Sequence, residues 1–172
     1  MTTRVAMAIA AVLLATACGA PAPTSTTTAA EPETVTASPS APQVAALGTT
    51  LTITGTAGTA AYTVANLAPV PVDAQIIPAK GTMFSVDVTI DAQTGTTVYN
   101  GFYFVARGQD ESAIAPAVGA VKPGITSGQL EVGQSIAGHV AFDVPIGVTI
   151  TQVALRDQKG KTLAVWGVAP NG

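Results

Sequence analysis

An all-β sandwich of antiparallel sheets is the fold this sequence predicts, and three observations predict it. Over Thr82–Asp91 the apolar Phe84, Val86, Val88 and Ile90 alternate with Ser85, Asp87, Thr89 and Asp91. That period of two sends alternate side chains to opposite faces of a strand. The alternation returns in His139–Val144 and is closed by Pro145, which has no N–H to give to a ladder. Beyond Leu47 no stretch keeps a helical period for ten residues, whereas turn-forming Gly, Pro and Asp recur between short apolar runs.

The N-terminal elements read differently. Arg4 precedes an apolar run from Val5 to Leu14, followed by Ala15-Thr16-Ala17-Cys18-Gly19. A positive charge, a short apolar stretch and small residues at its end describe an export signal over residues 1–17. The run is too short for the roughly 20 apolar residues of a bilayer-spanning helix. Two processing routes fit. Ala15-x-Ala17 suits a general signal peptidase, and the same residues before Cys18 resemble a bacterial lipobox, with Ala15 where Leu is usual and Leu14 one place earlier. Cys18 is the single cysteine of the chain, so it has no intramolecular disulfide partner, and lipidation gives an exported thiol a purpose. The expected anchorage is therefore to the membrane through lipidated Cys18, with free secretion as the alternative.

Residues 18–46 are mostly Ala, Pro, Thr and Ser, with prolines at 21, 23, 32, 39 and 42. So few large apolar side chains cannot offset the entropy of ordering the backbone, and a disordered tether with polyproline stiffness is expected. It is a spacer from the lipid surface, and its threonines beside prolines suit O-glycosylation.

The folded domain is expected over residues 47–170. Besides the two alternating runs, Thr50–Thr54, Ala60–Val64, Val98–Arg107, Val148–Leu155 and Thr162–Val168 are strand candidates. Between them stand Gly55, Gly58, Asp91 to Gly95, Lys122-Pro123-Gly124, Glu131-Val132-Gly133 and Asp157 to Gly160 as turns. Seven to nine short strands in about 124 residues suit an immunoglobulin-like antiparallel β-sandwich held by packing without a disulfide. Phe84, Val86, Val88, Phe102, Phe104, Val140, Phe142, Val144, Leu155 and Val165 are its expected core, with Trp166 plugging one end.

Three segments carry a family resemblance: Gly81 to Ile90, Leu130 to Pro145 with its Glu-Val-Gly-Gln turn, and the closing Leu163-Ala164-Val165-Trp166. Together they resemble the mycobacterial immunogenic-protein family, small secreted antigens with an immunoglobulin-like β-sandwich. The motifs are strands and turns, so the resemblance implies a fold, no enzymatic activity and no functional residues. The tether and the lipid anchor set this chain apart from freely secreted members.

The chemistry the composition allows is narrow. Eight acids and six bases beyond Leu47 leave a net charge of −2 and no basic stripe, which excludes a nucleic-acid partner. Arg156, Lys159 and Lys161 cluster around Asp157 and Gly160 and read as a solvated hairpin tip. His139, the single histidine, belongs to the exposed face of its strand with Asp143, but four residues of strand separate them by about 13 Å, too far for a catalytic pair. No Gly-x-Ser-x-Gly elbow is present. One histidine and a leader cysteine cannot supply a zinc site, and Asp110-Glu111 and Asp87 with Asp91 lack the spacing of a calcium loop. No catalytic residue, metal or cofactor is expected. The reading is a non-catalytic interaction module of the cell envelope with an unknown protein or cell-wall partner, presented first on the loop Gln109–Gln129, whose other reading is a crossover between sheets. A carrier or hydrolase of a small apolar ligand is the alternative and requires a pocket between the sheets. An antigen without a ligand is another.

Overall fold

The structure is a computed structural model that describes residues 41–169. The signal peptide 1–17, Cys18, the tether as far as residue 40, and Pro170 lie outside the described residues.

Eleven strands follow one another: β1 Gln43–Ala46, β2 Thr50–Thr54, β3 Gly58–Pro69, β4 Thr82–Gly95, β5 Thr97–Asn100, β6 Phe104–Gly108, β7 Ala113–Ile114, β8 Ser127–Leu130, β9 Ser135–Val144, β10 Ile150–Arg156 and β11 Thr162–Gly167. They form a five-stranded sheet in the order β1-β11-β10-β6-β7, a four-stranded sheet in the order β2-β3-β4-β9, and a β5-β8 ribbon. Every pairing is antiparallel except that of β1 with β11. This is the immunoglobulin-like β-sandwich of the sequence reading.

The core lies where the two larger sheets face each other. Val64, Val86, Val88, Ile90, Val140, Phe142 and Val144 project from the four-stranded sheet. Phe104, Val153, Leu155, Ala164 and Trp166 meet them from the five-stranded sheet. Trp166 is 0% exposed, and its indole N–H donates to the Thr49 carbonyl at 2.8 Å, so the one polar atom of the largest core side chain is satisfied.

Several expectations are corrected. Gln43–Ala46, expected within the tether, is strand β1, registered on Ala164–Gly167. Four residues, Gln-Val-Ala-Ala, without polar–apolar alternation give little sequence signal, yet the edge of β11 supplies their pairing. Val98–Arg107 is not one strand. The Asn100 side chain accepts the Phe102 N–H at 2.9 Å, a local alternative to the ladder, and a one-turn 3-10 helix over Gly101–Tyr103 separates β5 from β6. Phe102 sits on that turn and is 64% exposed, so it is not core. Val165 is outward-facing: Leu155 pairs with Ala164 and Val153 with Trp166, and inward Val153 and Leu155 bring those partners inward with them. Phe84 packs on the core from a partly buried position.

The outer face of the four-stranded sheet is itself covered in part by the segments 70–79 and 117–121. Met83 and Ala141 pack there with Ala120 and Val121, flanked by Val70, Ala79 and Ala117. The same crossover seals the edge of β9. Ala117 N–H donates to the Ala141 carbonyl at 2.7 Å, Ile125 N–H to the His139 carbonyl at 2.9 Å, and His139 N–H to the Pro123 carbonyl at 2.8 Å. An edge strand left bare invites pairing with other chains; here the chain covers its own.

Candidate functional site: a cleft at one end of the sandwich

The predicted interaction loop Gln109–Gln129 is the crossover just described. Ile114, Ala120, Val121 and Ile125 are buried in it, so its apolar, nearly uncharged composition comes from packing on the sheet rather than from a free binding surface.

His139 lies half-exposed on the outer face, as its strand parity requires. Its cross-strand partner is Asp87, not Asp143. His139 Nδ1 lies 2.8 Å from Asp87 Oδ1. The ring nitrogen makes no hydrogen bond, so the two groups are in contact by distance alone. Asp87 also accepts from Asn66 Nδ2 at 2.8 Å. Asn66 adopts φ 51° in the irregularity of β3 between Ala65 and Ala68, a left-handed conformation that Asn tolerates well. No hydroxyl or thiol among the described residues bonds to His139, so the trio has no nucleophile. Asp143 instead fixes a loop. Its carboxylate accepts the Lys80 N–H at 2.9 Å and the Gly81 N–H at 2.8 Å. Those two backbone donors hold its carboxyl below the usual range, with a smaller contribution from the Lys80 charge. Among the described residues no three His, Cys, Asp or Glu side chains converge as a metal site would require.

A concave feature lies at one end of the sandwich. A cleft of about 540 Å³ opens between the two sheets, walled by the β2–β3 turn, the start of β5 and the β10–β11 hairpin. This is within the usual size range of small-molecule sites. Ile53 and Tyr62 line it from the four-stranded sheet, and Leu155 and Leu163 from the five-stranded sheet. Arg156, Lys159 and Lys161 stand on the hairpin side.

Local chemistry holds both walls open. On the hairpin, Asp157 Oδ1 accepts the Lys159 N–H at 2.8 Å and the Lys161 N–H at 2.9 Å, while Gly160 takes φ 81°. This is the carboxylate-capped turn that Asp and Gly favour. The one acidic side chain lining the cleft is thereby engaged with its own turn rather than with the neighbouring cations. On the other wall, Gly58 pairs with Gly95. Gly95 adopts φ 59°, and a Cβ there would overlap the Ala57 carbonyl, so glycine is needed both for its conformation and for its lack of a side chain. Thr96 N–H donates to that same carbonyl at 3.0 Å, which places Thr97 in the cleft.

Thr97 is only 7% exposed, yet its Oγ1 has no hydrogen-bond partner, and neither has the buried Nε of Arg156. Buried polar atoms are paired in the great majority of cases. Of the three unpaired ones among the described side chains, two line this cleft. Burial also pushes the Tyr62 phenol above its ordinary pKa, so Tyr62 presents a protonated hydroxyl-bearing ring. Lys159 and Lys161 stand on the exposed hairpin tip as expected, whereas Arg156 is the last residue of β10 with its Nε buried. The sequence reading did not foresee that a turn some hundred positions earlier in the chain (residues 55–58) closes over them.

Solved structures of similar fold frame this geometry. A secreted protein from Mycobacterium tuberculosis, MPT63, is similar with a TM-score of 0.66 and 24% identity, over 74% of this chain and 98% of that one. The yjhA protein from Bacillus subtilis is similar with a TM-score of 0.53 and 14% identity, over 72% of this chain and 98% of its own. At these identities the likeness is one of fold. No curated protein matches the sequence. The family described as a domain of unknown function, DUF1942, matches residues 42–166, beginning one residue before β1. The chain therefore belongs to the DUF1942 family, with the β-sandwich as its family domain.

Proposed function

We propose that the protein is an exported, lipid-anchored module of the cell envelope that binds a ligand in its end cleft and performs no chemistry on it. The cleft is the observation that carries this reading. It lies between the sheets at one end of the sandwich, and two polar groups in its lining have no partner. The reading without chemistry is supported by what surrounds the chain's one histidine: a carboxylate and an amide on an open sheet face, outside the cleft. This supports a carrier or receptor over a hydrolase.

Export and anchorage rest on the leader, with Arg4, Val5–Leu14 and Cys18 after two small residues. That the similar M. tuberculosis protein is described as secreted is in keeping with export. A tether before Gln43 would lift the cleft away from lipid head groups. The test is fractionation of cells fed a lipid-labelled precursor, comparing the natural chain with Cys18→Ala. Label in the natural chain and release of the variant to the medium are expected. Equal distribution of the two, without label, contradicts anchoring and leaves a freely secreted protein.

A further inference from the structure

The polar groups of the cleft specify a charge for the ligand. Beyond residue 46 the chain has six basic side chains, and three of them, Arg156, Lys159 and Lys161, line this one cleft. Of the eight acids in the same region only Asp157 lines it, and its carboxylate is occupied by two backbone N–H groups. Glu131 approaches the rim, where it accepts a long 3.4 Å hydrogen bond from Thr96 and a 2.9 Å bond from Gln129. Among the described residues no carboxylate lies within ion-pair distance of Arg156, Lys159 or Lys161. A molecule with an overall negative charge thus concentrates unpaired positive charge in one concavity.

Arg156 is the sharpest indicator. Its Nε is buried without a partner, and a guanidinium taken partly out of water needs hydrogen-bond acceptors to offset its desolvation. Thr97 Oγ1 has a proton to donate and, in the same cleft, nothing to receive it. Together they present donors without acceptors. The rest of the lining mixes the polar Thr54, Thr56, Thr96 and Gln158 with an apolar and aromatic patch of Ile53, Tyr62, Tyr103, Leu155 and Leu163, with Val98 49% exposed at the mouth.

Resting on the reading of the cleft as a ligand seat, we propose that it binds a small amphiphilic anion. A carboxylate, sulfate or phosphate head is held by Arg156 and Thr97 with Lys159 and Lys161 at the rim, and a compact alkyl or aryl body lies on Ile53, Leu155 and Leu163. The planar guanidinium fork fits such oxyanion heads in a way that a point charge does not. The apolar body separates this ligand from an inorganic anion, which the aliphatic walls would not retain.

Octanoate and octan-1-ol test this, because they share a chain and differ in the charge of the head. The exported chain is titrated with each below micellar concentrations, with binding followed by amide chemical shifts. Saturable octanoate shifts confined to residues 53–62, 96–103 and 155–163 are expected. Octan-1-ol should bind more weakly, and Arg156→Gln should weaken octanoate about tenfold or more, the scale of a lost hydrogen bond to a charged group. Lys159→Gln with Lys161→Gln, both solvent-exposed at the rim, should weaken it less and make it less sensitive to salt. Unchanged Trp166 emission reports that each variant is folded. If octan-1-ol binds the cleft as well as octanoate, or Arg156→Gln binds octanoate undiminished, the anion assignment is overturned and the ligand seat stands. If neither probe shifts the cleft residues, the seat itself is overturned.

Discussion

At the scale of single residues, the informative side chains are those whose polar atoms are fixed by geometry. Asp143 ties two backbone N–H groups of the loop before β4, and its lowered pKa makes that tie dependent on pH. A carboxylate held below its unfolded value of about 3.9 contributes stability above that pH. The contribution falls away as the pH drops through the folded value. Asp143→Ala should therefore cost about 1 kcal/mol at neutral pH, a small figure because the group is largely solvent-exposed. Denaturant unfolding at pH 7 and at pH 3 checks it: the gap between the two chains should shrink at the lower pH, and a constant gap would assign the cost to something other than the charge. Gly95→Ala is a harsher change, since positive φ and a blocked Cβ act together. It should lower stability by roughly 2 kcal/mol or more and loosen the cleft wall. Parity read from sequence located His139 and the inward run Val86, Val88, Val140, Phe142 and Val144. It could not choose between Val165 and Trp166, because that choice lies in the cross-strand partner, which alternation within one strand does not contain.

At the scale of elements, strands that keep their alternation were legible, and those defined by a neighbour were not. β4 and β9 announce themselves in the sequence, whereas β1, β7 and β8 are short and become strands because an edge awaits them. The interruption between β5 and β6 is a local effect that Asn100 followed by Gly101 foreshadows, since Asn competes for backbone N–H groups and Gly continues a strand poorly. Two predictions belong here. A chain beginning at Leu47 should be less stable and more prone to self-association than one beginning at residue 41, because it bares the edge of β11; size-exclusion chromatography and thermal melts of the pair measure this. Ala120→Asp should be worse still. It puts a charge into a fully buried position between the crossover and the sheet, with an expected loss of about 3 kcal/mol or more. A matched Val132→Asp change on an exposed turn should be nearly neutral.

At the scale of the whole molecule, the sequence foretold a sandwich, but not which of its surfaces is free. The apolar crossover looked available and is packed down; the basic hairpin looked idle and walls a cleft. Both outcomes depend on contacts across more than a hundred residues, such as Trp166 with Thr49 or the hairpin with the β2–β3 turn. Local composition carries no record of them. One edge of the four-stranded sheet is sealed, and the cleft lies at the end of the sandwich where the β2–β3 turn and the β10–β11 hairpin approach each other.

Residue-resolved amide hydrogen exchange tests that division most directly. Slow exchange is expected in β3, β4, β9, β10 and β11, and also at Ala117, Ile125 and His139, whose N–H groups bind the crossover to β9. Fast exchange is expected in the turns 55–58 and 157–160 around the cleft. Should Ala117 and Ile125 exchange as quickly as those turns, the crossover would be a free loop with β9 open beside it, and the assignment of binding to the end cleft would be contradicted.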